Sequence, residues 1–103
     1  MIRYTLYVPQ AYNDGTPFPA SALIDVEEII LGIAGGFTRT DSVGAWRDGD
    51  KIYREPISLY AVDSDDPKVP ASLHELARSL RVLLQQEAIY LTHETIGATL
   101  ITG

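Results

Sequence analysis

The sequence predicts an α+β domain in which four strands form one antiparallel sheet and two helices cover one of its faces. Three observations carry that expectation. Apolar residues alternate at period two in several segments, they recur every three or four residues in two others, and the order of these segments is β-α-β-β-α-β. The order has matching halves and corresponds to the ferredoxin-like arrangement.

The first strand is read from Ile2, Tyr4, Leu6 and Val8, which alternate with Arg3, Thr5 and Tyr7 before Pro9 ends the run. "QAYNDGTPFP" follows, and its Asn13-Asp14-Gly15 and two prolines are turn chemistry. From Ser21 to Ala34 the period changes. Leu23, Val26, Ile30 and Ile33 make one stripe, and Asp25, Glu27 and Glu28 lie off it in the half where the helix dipole favours acids. Gly35-Gly36 stops this helix.

Phe37–Arg47 and Ile52–Asp63 are the next two strands, joined through the turn signal Asp48-Gly49. Pro56 lacks a ladder donor, so a bulge or an unpaired position is expected there. After the loop "DSDDPKVPA", Ser72 with Glu75 three residues on predicts a capping box that opens the second helix. Leu73, Leu76, Leu80, Leu83 and Leu84 form its apolar stripe. "AIYLTH" returns to strand alternation, and "ETIGATLITG" is expected to add a short edge strand. The uncovered sheet face should present residues such as Arg3, Thr5 and Tyr7.

The chain of 103 residues is expected to form a single domain, residues 1–103, with 46% hydrophobic and 21% charged residues. Eight basic against 14 acidic residues give a net charge of −6, which argues against a nucleic-acid partner because phosphate binding needs basic side chains. There is no cysteine, so disulfides and thiolate chemistry are excluded. The N-terminal segment reads as a strand rather than a signal peptide, and Asp25, Glu27 and Glu28 interrupt the longest apolar stretch. A cytoplasmic protein that does not bind membranes is the expectation.

Gly36, Thr38, Gly44, Trp46, Gly49 and Glu55, together with "QQEAIYL", form a pattern of helix, G-G-x-T, G-x-W, glycine turn and acidic strand. It resembles short bacterial proteins known only as domains of unknown function, over Gly35 to Leu91. That resemblance implies the fold and carries no activity.

Chemistry is concentrated around the hairpin. Trp46, Arg47, Tyr53 and Glu55 flank its turn and make a candidate ligand cradle, with an aromatic wall, a guanidinium and a carboxylate. The same residues also fit a cross-strand aromatic pair with an exposed ion pair. His93 joins these four as a candidate ligand-binding residue, and His93, Glu55, Tyr53 or Arg47 would supply the proton-transfer groups of an enzyme, although Glu94 beside His93 points to the opposite strand face. The glycines follow a helix rather than precede one, so they make no phosphate cradle. Asp63, Asp65 and Asp66 lack the spacing of a calcium loop, and no cofactor or metal is expected.

The leading expectation is a non-catalytic module that self-associates as a homodimer or higher homo-oligomer and binds a small molecule or a protein partner. The alternative is a small cofactor-independent enzyme with its pocket near the 36–55 hairpin or at a subunit interface. A phage or mobile-element accessory protein acting through protein contacts also fits the size and acidity.

Overall fold

A computed structural model describes residues 1–103. Its elements are β1 (Ile2–Pro9), α1 (Ala20–Ala34), β2 (Thr38–Asp48), β3 (Lys51–Ser64), α2 (Val69–Leu83) and β4 (Leu91–Thr95). The sheet order is β2-β3-β1-β4 with every neighbouring pair antiparallel. This is the ferredoxin-like α+β fold that the element order predicts.

The buried face follows from strand periodicity. Leu6 and Val8 of β1 stand opposite Tyr60 and Ser58 of β3, and all four are buried together with Val62. Val26 and Ile30 of α1 and Val69, Leu73, Leu76 and Leu80 of α2 close over them. Arg3, Thr5 and Tyr7 lie on the other face, where Ile57, Leu59 and Ala61 of β3 accompany them without a covering layer.

Two glycines occupy positions that only a left-handed backbone serves. Gly35 ends α1 at φ +78°, its N–H donating to Leu31 O at 2.8 Å. Gly49 has φ +62° in the two-residue loop Gly49-Asp50, where a II′ turn needs glycine first.

Of three local expectations, the one at Pro56 holds as an unpaired position rather than a bulge, and the other two fail for identifiable reasons. No bulge forms at Pro56, and β2–β3 pairing runs unbroken from Thr38↔Ala61 to Asp48↔Lys51. The Pro56 carbonyl accepts from Gln10 N at 3.0 Å, on the β1 side, so the missing N–H also faces the side where β1 has already ended. α2 begins at Val69 rather than Ser72, with Pro70 in its first turn and no side-chain cap. Proline fixes a helical φ without wasting a donor there, which starts the helix before Ser72 can cap it. The tail after Thr95 forms no fifth strand; Ile96 N reaches Met1 O at 2.9 Å, and Leu100 and Ile101 are exposed.

β3 is longer than its partner. Its last pair with β1 is Ile57↔Pro9, so residues 51–56 pair only with β2 and the hairpin projects as an arm. The molecule measures 51 × 27 × 26 Å, with a radius of gyration of 14.7 Å. A compact chain of this length has about 13 Å, so the molecule is elongated.

Candidate functional site

The arm leaves one edge of β3 open, and a cleft of about 860 Å³ straddles that edge. Trp46, Tyr53 and Glu55 border it from the uncovered side of the sheet, and Arg54 and Pro56 from the helix side. The facing wall is the Gln10–Pro17 loop and the Gln86–Ala88 turn.

Each wall has a local cause. The loop is a miniature hairpin: Ala11 bridges Pro17, Tyr12 N donates to Thr16 O at 2.8 Å, and Asp14 Oδ1 accepts from Thr16 N at 2.9 Å. Phe18 anchors it in the core and meets Tyr12 edge to face at 4.5 Å. The turn leaves α2 through Gln85, whose φ of +55° is the only left-handed conformation taken by a residue other than glycine. Gln86 N then donates to Arg81 O at 2.9 Å, closing the helix and directing Gln86 to Ala88 toward the cleft.

Trp46 and Tyr53 are direct cross-strand partners and stack, with ring centroids 5.4 Å apart and planes 15° from parallel. The Lys51 ammonium lies 5.8 Å from the Tyr53 ring centroid, so the ring already attracts a cation. Glu55 is half-buried, takes part in none of the ion pairs, and has its pKa pushed up by burial. Asp48, Glu55 and Glu87 line the cleft against a single guanidinium, Arg54, which makes the lining net negative.

The sequence-derived candidates therefore divide. Trp46, Tyr53 and Glu55 come together. Arg47 pairs with Ile52 on the opposite face of the hairpin and does not border the cleft; Arg54 provides the guanidinium instead. His93 stands opposite Tyr4, which pairs with Val62, seven residues from Glu55 along β3. That odd spacing puts His93 on the other sheet face, about 23 Å away at the usual strand rise. A proton-transfer pair of His93 and Glu55 has no geometric basis.

A second polar cluster adjoins the cleft and was invisible to motif reading. Asp41 Oδ1 accepts from Arg39 Nε at 2.8 Å, Ser58 Oγ at 2.9 Å and Gln10 Nε2 at 3.1 Å. These donors, Arg39 foremost, hold the Asp41 pKa below the usual carboxylate range. Glu27 Oε2 on α1 accepts from Arg39 Nη1 at 2.9 Å and from the Tyr60 hydroxyl at 2.7 Å. Burial, reinforced by the hydrogen bond to Glu27, pushes the Tyr60 pKa up and keeps the phenol protonated. Register across β2 and β3 joins four of these residues, Asp41 facing Ser58 and Arg39 facing Tyr60, while α1 and the end of β1 bring Glu27 and Gln10 to them.

No family model matches the sequence, and no curated protein matches it either. No helix is long and apolar enough to cross a membrane. Solved structures do match in three dimensions. A phage SAM lyase in complex with S-methyl-5′-thioadenosine superposes with a TM-score of 0.69 at 13% identity, over 90% of this chain and 79% of that one. The apo form of a phage SAM lyase gives the same TM-score and identity, over 90% and 78% of the two chains. At this identity the likeness is one of fold: the chain is a small α+β module built on the scaffold those lyases use.

Proposed function

We propose that the module binds a small organic cation bearing a planar ring, of the sulfonium nucleoside type, in the hairpin cleft, and that it does so as a self-associated unit. One observation carries the ligand class: a stacked Trp46–Tyr53 pair beside Glu55, a half-buried carboxylate with no cation of its own. Aromatic faces and carboxylates both stabilise a positive centre, and an aromatic wall also takes a flat base. The net negative lining favours a ligand of net positive charge, and Arg54 offers a partner for a ligand carboxylate. S-adenosylmethionine combines a sulfonium, a base and an amino-acid carboxylate. The fold it shares with proteins solved as SAM lyases adds weight to that choice.

Trp46 is the only tryptophan, so its fluorescence reports this cleft directly. Titration with S-adenosylmethionine should give a saturable change, at several-fold lower concentration than with the uncharged S-methyl-5′-thioadenosine. No saturable change with either compound would sink the reading.

Self-association is supported by the half-buried apolar residues Ile57, Leu59 and Ala61 on the sheet face that no helix covers and by the exposed Val43 and Ile52 on the arm. Sedimentation should show a dimer or larger species, and a strict monomer at high concentration would refute it. A second reading, a small enzyme that cleaves S-adenosylmethionine, is favoured by the activity in the names of the structural neighbours. Chromatography of S-adenosylmethionine incubated with the protein tests it: S-methyl-5′-thioadenosine must form faster than in a protein-free control.

A further inference from the structure

Gln10 borders the cleft and is held by two side chains whose hydrogen-bonding capacity leaves it one orientation. Its Nε2 donates to Asp41 Oδ1 at 3.1 Å and to Ser58 Oγ at 2.9 Å. Ser58 gives its own proton to Asp41 Oδ1, so toward Gln10 the serine oxygen can only accept. The ionised Asp41 carboxylate can also only accept. Both N–H bonds of the Gln10 amide are thereby used on the protein side. A flipped amide would set its carbonyl against two acceptors.

The other end of the amide is left free. Gln10 Oε1 receives no hydrogen bond from within the chain, yet no buried side-chain polar atom lacks a partner, so Oε1 is open to solvent. The backbone keeps the residue in place, since Gln10 N donates to Pro56 O and Gln10 O accepts from Phe18 N, both at 3.0 Å. Gln10 borders the cleft from the helix side of the sheet edge, with Ser58 and Asp41, whereas Trp46 and Tyr53 border it from the other side, so a ligand that straddles the edge meets this fixed acceptor at the end away from the aromatic pair. A fixed acceptor there discriminates between flat rings that carry an N–H donor and those that do not.

We infer that Gln10, oriented by Asp41 and Ser58, is a specificity determinant of the cleft that selects rings bearing an exocyclic amine, such as adenine, over the same ring without it. The inference rests on the proposed nucleoside-binding reading and goes beyond it, because aromatic stacking and charge alone would accept either ring. Asp41 and Ser58 act here as positioning residues. They need not touch the ligand.

Adenosine and purine riboside, which lacks only the exocyclic amine, are the probes, and Trp46 fluorescence is the readout. The wild-type protein should prefer adenosine by about tenfold, the usual cost of leaving one directed acceptor unmatched. Gln10→Met, which keeps the shape and removes the acceptor, should bring the ratio close to one. Asp41→Asn should also lower it, because an asparagine amide can donate and lets the Gln10 amide turn over. Thermal denaturation identifies a variant that has merely failed to fold, and Ser58→Ala then replaces it as the positioning test. Equal binding of both probes by the wild type, or an unchanged ratio in Gln10→Met, overturns the inference and leaves the nucleoside reading standing. Binding of neither probe overturns both.

Discussion

Tyr53 and Tyr60 stand seven residues apart on β3 and have opposite fates. Tyr60 is completely buried under α1, edge to face with Phe37 at 5.3 Å, its hydroxyl donating to Glu27. Tyr53 is 38% exposed on the projecting arm, stacked only on Trp46 and bordering the cleft. An odd spacing sends one ring to the helix-covered face and the other to the open face. The covered half is held by burial, and a ring such as Tyr60 has no face left to offer a ligand. The arm is held by ladder hydrogen bonds and one aromatic pair, so its side chains remain available. Stability and binding should accordingly separate by region.

The largest effect is expected in the covered half. Leu73 is 1% exposed at the centre of the core, and Leu73→Ala should cost about 2–5 kcal/mol in denaturant unfolding, from lost burial and the cavity left behind. A loss below about 1 kcal/mol would mean that α2 repacks freely, and the contrast with the arm would collapse. Tyr60→Phe should cost about 1 kcal/mol, because Glu27 loses one donor but keeps Arg39. On the arm, Trp46→Ala should abolish nucleoside binding by calorimetric titration while costing no more than about 1 kcal/mol, the scale of one exposed cross-strand pair. A Trp46→Ala protein that unfolds would show that the arm is part of the cooperative core.

The same division explains what the sequence disclosed. Alternation in Ile2–Val8 and the three-to-four spacing of Leu23, Val26, Ile30 and Ile33 are local signals, and they led to the correct element order and buried face. Trp46, Tyr53 and Glu55 were legible as a group because a glycine turn fixes which residues face each other across a hairpin. Arg47 and His93 were misplaced relative to them for want of facing and distance, which depend on register among three strands. The Gln10–Asp41–Ser58 cluster joins residues 31 and 48 positions apart in the chain, and no motif marks it. The overhang of β3 past Pro9, which opens the cleft, is a difference in strand lengths that neither strand announces alone.

Glu55 should give the smallest effect and the sharpest test, because it couples the two properties with opposite signs. Burial without a counter-charge raises its pKa in the folded chain, so the folded state holds this proton more tightly than the unfolded state. Its contribution to stability is therefore fully present below the ordinary glutamate pKa of about 4.3 and is lost as pH rises through the folded value. Cation binding runs the other way, since only the carboxylate attracts a sulfonium. Between about pH 4 and neutrality, S-adenosylmethionine affinity should rise while the Glu55 contribution to stability falls. Glu55→Gln should flatten both trends, gaining slightly in thermal stability at neutral pH and losing the pH-dependent part of binding. Melting curves and Trp46 titrations on the two proteins across that range check it together. If Glu55→Gln binds S-adenosylmethionine as wild type does at neutral pH, the cation is not held by this carboxylate, and the arm's role reduces to stacking.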